Sequence, residues 1–150
     1  MKKAKKAKQR QKLSWENLTY SFKRMDTLII SISGAGIYTC LSTIKFLLQE
    51  QISNDFQWII NSSGTLFALS IIINFVSQYT GAKSNEYDFL MSEEEIDANG
   101  KPDQVAKRKI DKYNQNSDKF SNATDILNIF SIVLLGIGLL SLTVFYWIIF

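Results

Sequence analysis

Three stretches of the chain, residues 27–49, 57–79 and 126–150, are nearly unbroken runs of apolar side chains, and the charged residues crowd into what separates them. A hydrocarbon core about 30 Å thick is crossed by roughly 20 apolar residues in a helix, so each run is long enough to span a bilayer. The third, ILNIFSIVLLGIGLLSLTVFYWIIF, carries no charge. The first holds Lys45 near one end, where a lysine extends its ammonium to the interface. The second contains Asn61, Asn74 and Gln78 and relies on neighbouring helices for its place in lipid. The pattern predicts an all-α membrane protein with three transmembrane helices. A soluble bundle of three buried helices is the competing reading, but a chain of 150 residues has too little else to cover them.

The polar remainder has internal order. Residues 1–12 form a basic arm with Lys2, Lys3, Lys5, Lys6, Lys8, Arg10 and Lys12 and almost nothing to bury, which predicts disorder in isolation. Anionic lipid headgroups are its expected partner, each basic residue contributing about 1 kcal/mol next to an anionic leaflet. Nucleic acid is the weaker reading, because no aromatic residues interleave with the lysines to stack on bases. From Ser14 the pattern changes, with Trp15, Leu18, Phe22 and Met25 recurring at helical spacing. This predicts a short amphipathic helix at the interface, within a 1–26 segment that precedes the first span; packing against the bundle is the alternative.

The connector over residues 80–125 is too long for a turn. Asn99-Gly100 followed by Pro102 reads as a stop and a restart. Beyond it, Ala106, Ile110, Tyr113, Ser117 and Phe120 alternate by four and three, and the helix is expected to run on into the third span without a break. With Tyr87, Leu90 and Met91 continuing the second span, the expectation is a helical hairpin between spans two and three, offered to a soluble protein partner. Glu93, Glu94 and Glu95 are expected to pair with Lys107, Arg108 and Lys109 across the hairpin or between subunits, or to form a solvated charged face.

Charge sets the orientation. Nine Lys and Arg precede the first span and seven lie in the 80–125 connector, whereas residues 50–56 have none. Positive loops stay inside, so the N-terminus and the hairpin are expected in the cytoplasm and the C-terminus outside, in an inner membrane. Phe56, Trp58, Tyr146 and Trp147 fall at the outer boundary as anchors, and Trp15, Tyr20, Phe22 and Tyr79 at the inner one. About two dozen residues precede the first span and no small-residue cleavage site follows it, which argues against a removed signal peptide.

Within the spans, small residues offer close approach between helices: Ser33, Gly36, Cys40 and Thr43 in the first, Gly64 and Ala68 in the second, Gly136, Gly138 and Ser141 in the third. Ser70, Asn74, Ser77 and Gln78 cluster along the second, with Asn128 of the third at similar depth. A hydrogen-bonded cluster that fixes helix register is the favoured reading; a polar face lining a wet path in an oligomer is the other. The composition adds exclusions. With no His and one Cys, disulfide frameworks, Cys/His zinc sites and His acid–base chemistry are ruled out. No phosphate loop, nucleophile elbow or metalloprotease motif is present, so no enzyme activity and no cofactor are expected.

The run Asp26-Thr27-Leu28-Ile29-Ile30-Ser31-Ile32-Ser33-Gly34-Ala35, with Ser and Thr recurring to Lys45, resembles the first span of a widespread group of small bacterial membrane proteins. Phe67-Ala68-Leu69-Ser70, continuing to Asn74-Phe75-Val76-Ser77-Gln78, is similar to the second span of the same group. The likeness covers about the first 80 residues, departing at Thr43 and in the longer basic arm. It implies a topology and a bacterial source but no activity, the group being uncharacterised. The functional expectation is a self-associating membrane protein, a pore-forming or membrane-perturbing effector of a defence or toxin-like system. Its rival is an accessory or scaffold subunit whose hairpin docks a soluble partner.

Overall fold

The computed structural model describes residues 2–50, 56–97 and 103–149, with side chains from residue 23 onward. The basic arm's seven Lys and Arg side chains, the Trp15, Leu18 and Phe22 stripe, Asn99-Gly100 and Pro102 lie outside the described side chains. Among the described residues the chain is all helix: α1 (Lys2–Gln49), α2 (Gln57–Asp97) and α3 (Gln104–Ile149). Each contains a segment long and apolar enough to cross a membrane.

The helices pack by sevens. Within the apolar spans the buried positions on α1 are Ile29, Ser33, Gly36, Cys40, Thr43 and Leu47, and on α2 they are Ile60, Ser63, Phe67, Ser70, Asn74 and Ser77, with Ser84 buried seven residues further on. Both series alternate by four and three, the spacing of side chains that interdigitate between helices at a shallow angle. α2 lies mainly against α3, and α1 packs more on α2 than on α3.

The polarity of this bundle is reversed relative to a water-soluble one. The interior is rich in Ser, Thr, Asn and Gly, while Leu28, Leu41, Ile72, Phe75, Ile129, Leu140 and Trp147 face outward, the last 86% exposed. Small residues inside let backbones approach, and an apolar exterior suits acyl chains rather than water. This agrees with the three apolar runs of the sequence and leaves the soluble bundle without support.

Neither α2 nor α3 stops at the end of its apolar run. At about 1.5 Å per residue, the 41 residues of α2 reach about 61 Å and the 46 of α3 about 69 Å, well beyond a hydrocarbon core. The excess forms an antiparallel polar hairpin of residues 80–97 and 103–125, as the alternation through Ala106, Ile110, Tyr113, Ser117 and Phe120 predicts. Tyr87 of α2 stacks on Phe120 with centroids 5.7 Å apart and tilts against Tyr113 at 6.3 Å. α3 opens on Asp103, whose Oδ1 accepts from the Ala106 amide at 2.7 Å and so caps the helix. α1 is likewise continuous from Lys2 to Gln49, and no Gly or Pro interrupts residues 2–33.

Candidate functional site

The polar residues of the second span are organised as a ladder. Ser63, Ser70, Ser77 and Ser84 recur every seven residues along α2, and each donates its hydroxyl to a backbone carbonyl of α3: Gly138 at 2.6 Å, Ser131 at 2.8 Å, Thr124 at 3.1 Å and Ser117 at 3.0 Å. The acceptors also step by seven, in the opposite direction. A seven-residue repeat brings the same face of an antiparallel pair into contact every two turns, and serine is small enough for its hydroxyl to reach the opposite main chain. Side-chain bonds reinforce the rungs: the single hydroxyl proton of Ser77 is shared between the Thr124 carbonyl and Asn128 Oδ1, the latter at 2.6 Å, Thr80 and Thr124 share a bond of 2.8 Å, and the hydroxyls of Ser84 and Ser117 lie 3.0 Å apart.

Ser63 and Ser84 were not singled out from the sequence, although their exact interval with Ser70 and Ser77 was the available signal. The amides of the same stretch, Asn74 and Gln78, follow a different face. Asn74, fully buried, donates to Asp26 Oδ1 of α1 at 3.0 Å and accepts from Gln78 Nε2 at 2.9 Å. Gln78 itself is exposed. The expected cluster of Asn74, Gln78 and Asn128 is therefore two arrangements: a relay from Gln78 through Asn74 to Asp26 that ties α1 to α2, and Ser77 with Asn128 in the α2–α3 seam. Asp26, read from sequence only as the start of a span, is the member sequence reasoning missed.

Phe67 is the steric centre. It is fully buried, and a methyl group built on Gly36 would lie 2.5 Å from its ring, one on Gly138 3.0 Å. Gly36 of α1 and Gly138 of α3 thus receive opposite sides of one ring. Gly64 meets Cys40, which is buried in the α1–α2 contact. Ala68 lines, with Ile37, Leu41, Ile44 and Gly64, a shallow apolar groove of about 330 Å³ between α1 and α2. Ser33 is wholly buried and Ser141 half-buried. Gly136 differs from expectation: nothing lies within 4 Å of a methyl group placed there, because the seam passes through Gly138 two residues on. At the far end of the bundle Thr43 of α1 and Tyr146 of α3 share a hydrogen bond of 2.5 Å.

In the polar hairpin, Lys83 pairs with Glu86 at 2.6 Å and Lys109 with Glu94 at 2.7 Å. The hydrogen bond and charge of the glutamate raise each lysine above its usual 10.5. Among the described residues no group of three His, Cys, Asp or Glu is placed to hold a metal ion. Comparison with protein-family models, with curated proteins and with solved structures gives no match for this chain.

Proposed function

We propose that this protein is a non-enzymatic, multi-pass scaffold of a bacterial inner membrane, which holds a stiff helical hairpin in the cytoplasm for a soluble protein partner. The supporting observation is the serine ladder. Its rungs run without interruption from Ser63, in the apolar segment of α2, to Ser84 in the polar hairpin, so the hairpin and the membrane part share one seam. A load or partner at the hairpin tip is then coupled directly to the spans. Phe89, Ile96 and Val105 are exposed on the hairpin and offer it apolar contact. The cytoplasmic placement follows from the nine Lys and Arg before the first span and the seven in the connector.

The polar stripe supports this reading over a pore. Ser70 and Ser77 donate to α3, and Asn74 donates to Asp26 of α1 and accepts from Gln78 of α2, all within a single chain, so they need no lumen water. A second reading, a self-associating membrane-perturbing effector, is favoured by Gln78, whose exposed position leaves amide surface on the outside of the bundle. Ion flux through the reconstituted protein separates the two. The scaffold predicts no conductance above that of empty vesicles and retention of a cytoplasmic partner by the full chain, lost on Phe89→Asp with Ile96→Asp. Conductance that disappears in Gln78→Leu and in Asn74→Leu with Gln78→Leu would establish the effector instead.

A further inference from the structure

Counted along the two helices from the Asp26–Asn74 bond, the basic N-terminal part of α1 and the acidic end of α2 lie the same number of residues outside the apolar spans. The Asp26–Asn74 bond fixes the antiparallel register of the two helices. Stepping by sevens from Asp26 back along α1 passes Thr19 and reaches Lys12 and Lys5; the same steps from Asn74 along α2 pass Gly81 and reach Asp88 and Glu95. Both members of the first charged level are 14 residues from the bond, about 21 Å, and both of the second 21 residues, about 32 Å. Residues 2–12 hold seven Lys and Arg and no acid, while residues 88–97 hold Asp88, Glu93, Glu94, Glu95 and Asp97 and no base. Of those carboxylates Glu94 alone is in an ion pair among the described residues.

The unbroken α1 also bears on the lipid partner expected for the arm. Headgroups extend only about 5–7 Å past the hydrocarbon on each side, and the screening length at physiological salt is about 8 Å. A helix that continues straight from Asp26 carries Lys12 and Lys5 beyond that range.

We propose that the first turns of α1 dock on the acidic end of α2 in the same chain, with Lys12 opposite Asp88 and Lys5 opposite Glu95, so that the hairpin outside the membrane is a three-helix stalk. This goes beyond the scaffold reading and does not depend on it. The chemistry is charge complementarity between two helices already joined at Asp26–Asn74, Gly36–Phe67 and Cys40–Gly64, and it gives the arm a protein partner in place of a lipid one.

Disulfide formation in the full-length protein in anionic vesicles tests the register, with Cys40→Ala in every variant. The pair Lys12→Cys with Asp88→Cys is expected to form an intrachain bond under mild oxidant at least tenfold faster than Lys12→Cys with Glu95→Cys, which is offset by one heptad. Lys109→Cys with Glu94→Cys, side chains that touch in the structure, reports that the bundle is folded. Cross-linking of that reference pair without the Lys12/Asp88 pair overturns the proposal. So does a Lys12/Asp88 bond found only between two chains, which assigns the acidic end to a second copy. Protection of Lys5 and Lys12 from amine-reactive reagent that appears only with anionic lipid and survives Asp88→Asn with Glu95→Gln likewise overturns it, in favour of the headgroups.

Discussion

Gly36→Ala isolates the contact on which the seating of α1 depends. The added methyl would lie 2.5, 2.7 and 2.7 Å from three carbons of the Phe67 ring, where ordinary contact begins near 3.4 Å. The ring cannot turn away freely, because Gly138 of α3 backs its other side so closely that a methyl group added there would lie 3.0 Å from it. α1 must therefore retreat by most of an ångström or the ring must leave its position. Overpacking of this kind costs about 1–3 kcal/mol, which lowers the docked-to-undocked ratio of α1 by about 5- to 150-fold.

The chain carries its own reporter, since its single cysteine, Cys40, is buried where α1 meets α2. When reclosing is faster than alkylation, labelling by a membrane-permeant maleimide follows the open population. Gly36→Ala is expected to speed Cys40 labelling in mild detergent by that factor, and Gly136→Ala to leave it unchanged, since nothing lies within 4 Å of its added methyl. Phe67→Ala alone also loosens the helix, but adding Gly36→Ala to it should cost little more. Equal labelling of Gly36→Ala and Gly136→Ala, or an identical Gly36→Ala penalty with and without the ring, would refute the argument.

The serine ladder predicts a graded response: each of Ser63→Ala, Ser70→Ala, Ser77→Ala and Ser84→Ala should destabilise the α2–α3 hairpin by about 0.6 kcal/mol, read as the midpoint of SDS-titrated unfolding in mixed micelles. Ser62→Ala, at an exposed neighbouring position, should not shift it, and an equal shift there would remove the ladder's role. For pH, Lys83 and Lys109 have raised values, so their contribution is complete below the usual lysine value of 10.5 and is lost as pH rises through the raised ones. The charge of Asp103, and that of Tyr113 once ionised, also favours the charged form of Lys109, as ionised Tyr79 and Tyr87 do for Lys83. The two pairs therefore predict no change in hairpin stability between pH 6 and 9, measured by the same unfolding midpoint; a lysine-dependent transition in that window would contradict them.

Apolar runs and the four-three alternation made the elements legible: the three spans, the unbroken entry of α3 into its span and the small-residue face through Ser33, Gly36, Cys40 and Thr43 all follow from side-chain period alone. Pairing between helices was not legible to the same degree. The reading of Asn74, Gln78 and Asn128 as one cluster came from depth along the helices, but the angle around α2 places Asn74 against α1 and Ser77 against α3. Gly136 and Gly138 are equally small, and only the neighbour across the seam, Phe67, distinguishes them. The capping of α3 by Asp103 was also open to sequence, yet the adjacent proline drew the boundary instead.

The distribution of hydrogen bonds divides the bundle into unequal parts. α2 and α3 are joined at every second turn by a hydroxyl on a carbonyl, whereas α1 is held by the Phe67 ring in Gly36, the Asp26–Asn74 bond, the Thr43–Tyr146 bond and the weak bond between Cys40 and Ser63. In hydrocarbon, apolar contact alone gives little preference over acyl chains, so the helix with fewer polar ties is the one that separates first. Ser33 sharpens the contrast: its hydroxyl is wholly buried in the α1 face and is without a hydrogen-bond partner. A buried unsatisfied polar group costs about 1–3 kcal/mol, so Ser33→Ala should keep α1 docked at least as well as the native residue and slow Cys40 labelling, the reverse of what Ser70→Ala does to the hairpin. Faster labelling in Ser33→Ala would mean that this hydroxyl is bonded in the membrane and that α1 is tied in as firmly as the ladder helices are.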